Sequence, residues 1–109
     1  MGTLFYGADR LAITLDDRLL AHLQIVITNK LRRQEPLMLN WRDNESVGNG
    51  RSSVWISVST DLHFKYSDSR IPQINPTWID ALLRSSNSAM GLQLLDEGSL
   101  DEPPRGTST

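Results

Sequence analysis

Apolar side chains recur at every second position in two short runs near the start of the chain, residues 3–6 and 11–15. A Gly-Ala-Asp-Arg segment separates the runs and has the composition of a turn. A period of two places alternate side chains on one face of a strand, where they can be buried together. The pattern therefore predicts a β-hairpin at this end of the chain.

After the second run, the apolar positions change to helical spacing. Asp16 or Thr14 can accept hydrogen bonds from the free N–H groups of a first helical turn. The basic residues at the far end suit the helix carbonyls. Ile25 projects from the opposite face, where it is either part of a second contact or exposed. We predict a helix over residues 16–33, whose apolar stripe is Leu19, Leu20, Leu23, Val26, Ile27 and Leu31.

Alternation returns in three further runs, residues 35–41, 53–58 and 62–66. A polar, glycine-rich segment, residues 42–51, separates the first two runs, and a Ser-Thr-Asp turn separates the second from the third. Consecutive alternating runs joined by turn residues are typical of strands that pair with their neighbours in the chain. These runs predict an antiparallel meander.

A second helix is predicted over residues 75–87, with Asn75 at the N-cap and Pro76 at the first helical position. Residues 91–95 can add one last strand. Residues 96–109 are acidic, contain two prolines and have almost no apolar side chains. Because such a segment cannot bury enough apolar surface to offset its ordering entropy, we predict a flexible tail.

The predicted element order is ββαβββα, with an optional final strand. Each amphipathic helix must bury its apolar stripe, and one face of a sheet offers the matching surface. We therefore predict a single α+β domain over residues 1–95. Its architecture is a two-layer sandwich in which two helices cover an antiparallel sheet of five or six strands.

Composition narrows the class of protein. The chain has 109 residues, no cysteine, and 11 basic against 13 acidic residues, for a net charge of -2. Without cysteine there is no disulfide or thiolate metal site, which fits a reducing cytoplasm. The acidic balance is not typical of a dedicated duplex-DNA binder. No segment has the composition of a signal peptide or a membrane span, so we expect no membrane association.

The two histidines, His22 and His63, are both expected on the surface, one on a helix and one on a strand. A zinc site would need carboxylates recruited from elsewhere in the chain, and nothing in the spacing indicates one. We therefore expect no metal and no cofactor.

The segment with the most suggestive chemistry is residues 62–70, LHFKYSDSR. Lys65, Tyr66 and Arg70 resemble parts of the adenylation motif of ATP-dependent ligases, which reads Lys-x-Asp-Gly. In that chemistry a neutral lysine attacks the α-phosphate of a nucleotide. The resemblance raises the hypothesis that Lys65 is a nucleophile.

Two positions depart from the ligase motif. Ser67 stands in place of its Asp, and Asp68 stands in place of its Gly. Asp68 adds a side chain and a negative charge where the phosphate should approach. Strand alternation also turns Lys65 away from the apolar face, into water, where an amine is protonated and a poor nucleophile. We therefore favour a solvated strand residue and expect no catalytic residue.

Four basic side chains are candidates for phosphate contacts if the protein binds nucleic acid. They are Arg32, Arg33, Lys65 and Arg70. Exposed aromatic residues could stack on bases beside them. The alternative is that the arginines at the helix end only complement its carbonyls and that the other two residues are simply solvated.

The strand face opposite the predicted core carries Met38 and Trp55 among polar residues. An isolated exposed tryptophan needs no explanation, but a contiguous Trp/Met patch would mark a contact surface. We hypothesise that Met38 and Trp55 form a surface for self-association or for a protein partner.

Nearly all of residues 1–95 resembles a family of small actinobacterial proteins. The matching segments are MGTLFYG, DDRLLAHLQIVITNKLRR, SSVWISVSTDLHFKYSDSR and NPTWIDALLRSSNSAMGLQLL. The function of that family is not established, and its members often carry the label ATP-dependent DNA ligase. The resemblance implies a shared topology and supplies no catalytic residue.

Together these observations favour a small, non-catalytic cytoplasmic protein that acts by binding, as a homo-oligomer or with a protein partner. The first alternative is a nucleic-acid-associated accessory protein. The second is a true ligase fragment with Lys65 as its nucleophile.

Overall fold

The chain folds in the order ββαβββαβ. In this computed structural model the described residues are 1–42, 50–95 and 97–98. The elements are β1 (Gly2–Tyr6), β2 (Leu11–Leu15), α1 (Asp17–Arg32), β3 (Leu37–Arg42), β4 (Arg51–Ile56), β5 (Leu62–Lys65), α2 (Pro76–Ser86) and β6 (Leu92–Gln93). The α+β class is confirmed. The predicted tail, residues 96–109, lies outside the described residues except for 97–98, and so stays a prediction.

The strands form two three-stranded sheets rather than one sheet of five or six strands. Sheet A has the order β2-β1-β5, and both of its pairings are antiparallel. Sheet B has the order β4-β3-β6, in which β3 and β4 are antiparallel and β3 and β6 are parallel. The Tyr6 hydroxyl connects the two sheets, because it donates to the Trp55 carbonyl at 2.5 Å.

The predicted meander is correct for β3 and β4 but wrong for β5, which pairs with β1. Thr3 lies opposite Lys65 and Tyr6 opposite Leu62. Just beyond this ladder, the Gly7 N–H donates to the Asp61 carbonyl at 2.8 Å. Alternation specifies which face of a strand is buried but not which strand lies beside it, so the sequence pattern could not distinguish these pairings.

Both helices begin at the predicted capping residues. The Asp16 carboxylate accepts from the Arg18 N–H at 3.1 Å, so Asp16 rather than Thr14 is the N-cap of α1. The Asn75 side chain accepts from the N–H of Thr77 at 3.0 Å, and Pro76 follows at the first position of α2.

Each helix covers one sheet. α1 packs against β1 of sheet A, α2 packs against β3 and β6 of sheet B, and the two helices pack against each other. The core between these layers is mainly aliphatic, and each fully buried Leu or Ile in it contributes about 1.5–3 kcal/mol. Its fully buried members include Leu4, Leu20, Leu23, Val26, Leu39, Ile56, Leu82 and Leu92.

His22 is buried, which corrects the expectation of a helix-surface residue. Its side chain is 0% exposed, and its ring lies 4.3 Å from the Trp78 ring between centroids. Nε2 accepts from the Asn75 N–H at 2.8 Å, and Nδ1 lies 2.7 Å from the Arg18 carbonyl. Because a carbonyl can only accept, Nδ1 carries the proton. His22 therefore ties the start of α2 to α1.

Lys30 is also withdrawn from solvent, although it stands in the last turn of α1. Its side chain is 8% exposed, and its amine donates to the Asn87 side-chain carbonyl at 2.7 Å. The Glu35 carboxylate lies 3.1 Å from the same amine. The charge is thus satisfied inside the fold, where it joins the C-terminal ends of the two helices.

Candidate functional site

An open groove of ≈ 760 Å³ runs between the outer face of α1 and the segment that follows β5. We call it the α1 groove. One wall is the α1 surface that carries Ala21, Gln24, Ile25, Thr28, Asn29 and Arg32, and the other wall is residues 66–72 together with Ile74. Pockets of about 300–1,000 Å³ with mainly apolar walls and a few polar groups are typical binding sites for small molecules.

Hydrogen bonds to α1 fix the start of the 66–74 segment. The Tyr66 hydroxyl donates to the Gln24 side-chain carbonyl at 2.5 Å. The Ser67 hydroxyl donates to the Asp17 carboxylate at 2.7 Å, and the Ser67 N–H points to the same carboxylate at 3.2 Å. These contacts hold the segment across the helix surface, so that the groove remains between them.

A second set of contacts fixes the end of the same segment. The Arg18 guanidinium donates to the Gln73 carbonyl and also forms a bidentate pair with Glu97, at 2.8 and 2.7 Å. The Asn75 amide donates to the same carboxylate at 2.8 Å. These donors, Arg18 first, lower the pKa of Glu97 from 4.5 to about 2. Glu97 thereby connects the chain after β6 to both helices.

Ionisable groups at the start of the segment are shifted by the same contacts. The Ser67 hydroxyl, as the main cause, lowers the pKa of Asp17. Burial, with a smaller effect of the Asp17 charge, raises the pKa of Tyr66. The N–H and guanidinium of Arg70 lower the pKa of Asp68. Both carboxylates are therefore ionised and Tyr66 is neutral at pH 7.

The structure brings together two of the four candidate phosphate contacts. Arg32 and Arg70 lie on opposite walls of the α1 groove. Arg70 pairs with Asp68 at 3.0 Å, whereas Arg32 has no ion-pair partner among the described residues. Arg33 is the C-cap of α1 and is not part of the lining. Lys65 is exposed on the outer face of sheet A.

The geometry around Lys65 differs from a nucleotidyl-transfer site. Its side chain is exposed, as the alternation predicts. The second lysine, Lys30, is buried against Asn87 and Glu35 and is not available to hold a phosphate near Lys65. In place of the ligase pattern, Ser67 binds Asp17 and Asp68 binds Arg70.

Met38 and Trp55 lie directly opposite each other in the β3–β4 ladder. They share the face opposite to the buried Leu37 and Leu39. Trp55 is 52% exposed, and Met38 is partly buried. The structure therefore places the two predicted surface residues side by side on sheet B.

The α1 groove itself was not predicted from the sequence. Two signals were present: Ile25 on the polar side of the helix, and Ile71 with Ile74 in an otherwise polar segment. Ile71 is 88% exposed and Ile74 is 36% exposed. Ile25 is partly buried and lines the groove, so the second of its two predicted alternatives, plain exposure, does not hold.

The described residues contain no group of three or more His, Asp or Glu side chains arranged to hold a metal ion. Within the same residues, no helix combines the length and the apolar content needed to cross a membrane.

The architecture defines an α+β domain of two helix-covered, three-stranded sheets with an open groove over one helix. Residues 1–97 match the family described as Domain of unknown function (DUF7882), and the chain belongs to that family. No curated protein and no solved structure matches the chain.

Proposed function

We propose that the protein is non-catalytic and acts by binding, through self-association of sheet B. The observation that carries the proposal is the half-exposed Trp55 directly opposite Met38. Tryptophan offers a large apolar surface and is enriched among residues that dominate the energy of protein interfaces. A second copy presents the same pair, so a two-fold contact would bury both tryptophans at once.

The arrangement of the lysines supports the non-catalytic part of the proposal. A lysine that attacks a nucleotide needs an enclosing pocket and further basic groups directed at the phosphate. Lys65 is exposed on a strand, and Lys30 is engaged inside the fold. The ligase alternative is tested by incubation with labelled ATP and denaturing electrophoresis. Covalent AMP on Lys65 would overturn the proposal.

Self-association is tested by light scattering coupled to size exclusion, over a range of protein concentrations. We expect the mass of a dimer for the natural sequence and the mass of a single chain for Trp55→Ser. Ile71→Ser is the matched control, because it also removes an exposed apolar side chain, but from the α1 groove. A single-chain mass for the natural sequence at every concentration contradicts the proposal, as does a dimer that persists in Trp55→Ser.

A second candidate function is nucleic-acid association, favoured by the presence of Arg32, Arg70 and Tyr66 in one groove. Arginines would contact phosphates and the aromatic ring would stack on a base. A gel shift with single-stranded DNA at low salt tests it, with Arg32→Gln expected to weaken binding. Arg33 and Lys65 lie outside the groove, so Arg33→Gln and Lys65→Gln are expected to weaken DNA binding less. No shift at low salt removes this candidate.

A further inference from the structure

The α1 groove is lined by both apolar and charged side chains. Ile25 on α1 lines the groove together with Ile71 and Ile74 on the other wall. Surface segments that only connect two elements are usually polar, since exposed aliphatic groups are unfavourable in water. Ile71 is 88% exposed, although hydrogen bonds from Tyr66 and Ser67 hold its segment against α1. Its side chain is therefore a surface available to an apolar ligand.

The charge in the groove favours anions. Its ionised lining groups are two guanidiniums, Arg32 and Arg70, and one carboxylate, Asp68. The carboxylate is already paired with Arg70 at 3.0 Å. Arg32 has no ion pair or hydrogen bond to another described side chain. A planar guanidinium that is not engaged elsewhere can bind a carboxylate through two parallel N–H bonds.

On the α1 wall, the apolar and the charged lining residue are separated along the helix. Ile25 and Arg32 lie on the same side of α1, seven residues apart, which is about 10 Å along the helix axis. A ligand that uses both must therefore be elongated, with its charge at one end.

We propose that the α1 groove binds a small amphiphilic anion, an aliphatic chain with one terminal carboxylate. The chain lies on Ile25, Ile71 and Ile74, and the carboxylate is held by Arg32. The volume of ≈ 760 Å³ is within the range of sites for small molecules. This site is separate from the Met38 and Trp55 face, so it does not rest on the proposed self-association.

Isothermal titration calorimetry with three probes separates the two contributions. Decanoate carries both the chain and the carboxylate, decyltrimethylammonium carries a chain with a cation, and acetate carries the carboxylate alone. Each amphiphile is used below the concentration at which it forms micelles. We expect decanoate to bind one site per chain, at least ten-fold more tightly than decyltrimethylammonium, and acetate to show no binding. Equal affinity for the two amphiphiles, or several sites per chain, overturns the proposal.

Two variants locate the site. Arg32→Gln is expected to remove the preference for decanoate, whereas Arg33→Gln, which removes the neighbouring charge outside the groove, is expected to keep it. Ile71→Asp is expected to abolish binding of decanoate. Because the Ile71 side chain is highly exposed, this change should not disturb the fold. Circular dichroism checks that each variant is folded. Equal affinity for decanoate in Arg32→Gln and in the natural sequence contradicts the assignment of Arg32.

Discussion

The inner and outer faces of α1 differ in how fully their side chains are buried and paired within the chain. On the inner face, Leu23 and Val26 are fully buried, and even the polar His22 and Lys30 find partners within the chain. On the outer face, the α1 groove contains aliphatic side chains that stay in contact with water and, at Arg32, a charge unpaired among the described residues. One helix therefore carries an inner face that is buried and paired within the fold and an outer face that a ligand could cover.

Stability and binding can therefore be separated on a single element. Burial and satisfied hydrogen bonds on the inner face favour the folded state. The exposed aliphatic side chains and the Arg32 charge on the outer face contribute little to folding but remain available for binding. Substitutions on the two faces should therefore have different consequences, even when they stand two residues apart.

The largest expected effect is that of Leu23→Ala. It removes a fully buried side chain, and we expect the free energy of unfolding to fall by about 2–5 kcal/mol. Ile25→Ala, two residues further along the same helix, removes a partly buried side chain, and we expect a loss of about 1 kcal/mol. Urea denaturation followed by circular dichroism measures both. Similar losses for the two variants would erase the distinction between the faces.

Substitution of His22 should have the next largest effect. His22→Ala leaves a cavity beside Trp78 and removes the acceptor of the Asn75 N–H, so we expect a loss of about 2–4 kcal/mol. His22→Gln offers a side-chain carbonyl in the same region and should lose less. The same denaturation experiment compares them. If glutamine is no better than alanine, the hydrogen bond to Asn75 contributes nothing to stability.

A smaller effect should appear on acidification. The pKa of Glu97 is about 2 in the folded protein, against an ordinary value of 4.5, because Arg18 and Asn75 donate to its carboxylate. The unfolded chain therefore binds this proton more readily. The stability contributed by the carboxylate is complete above about pH 4.5 and is lost as the pH falls towards 2.

Glu97→Gln should make stability less dependent on pH in this window, as measured by thermal unfolding between pH 5 and 2. Some pH dependence should remain, because Ser67 lowers the pKa of Asp17 in the same sense. An unchanged profile in Glu97→Gln would show that the pair with Arg18 does not stabilise the folded protein.

The smallest effect concerns the wall of the α1 groove. Gln24→Ala removes the acceptor of the Tyr66 hydroxyl, and we expect a loss of about 0.5–1.5 kcal/mol that is local to the 66–74 segment. Hydrogen exchange should show faster exchange in that segment and an unchanged core of α1. Equally accelerated exchange throughout α1 would mean that the wall and the inner face are not independent.

The sequence predicted both helices and the first five strands, and left the last strand optional, because local periodicity and capping residues decide these elements. Asp16 and Asn75 begin the helices as expected. The partner of β5 and the parallel pairing of β6 were not predictable, since pairing depends on contacts between distant parts of the chain.

The burial of His22 and Lys30 escaped prediction for a related reason. Their partners, Asn75 and Asn87, lie 53 and 57 residues away in the chain. A polar side chain can be buried when a distant group satisfies it, and single-sequence periodicity does not reveal that group.

The two candidate surfaces differ in how far the sequence predicts them. Trp55 and Met38 follow from strand alternation, and the ladder places them opposite each other. By contrast, Arg32 and Arg70 line one groove only because the 66–74 segment turns back across α1, held by Tyr66 and Ser67. Sequence spacing alone cannot bring a helix end and a later connection together.

The parallel pairing of β6 with β3 also affects the timing of folding during synthesis. Leu92 pairs beside Leu39, and Glu97 reaches back to Arg18, so the last described residues complete both halves of the domain. Contacts between such distant parts of a chain are slow to form, because a long loop must close first. A ribosome that has released only the first helix and the two hairpins therefore holds an unfinished core, and the domain closes only when nearly all of it has emerged.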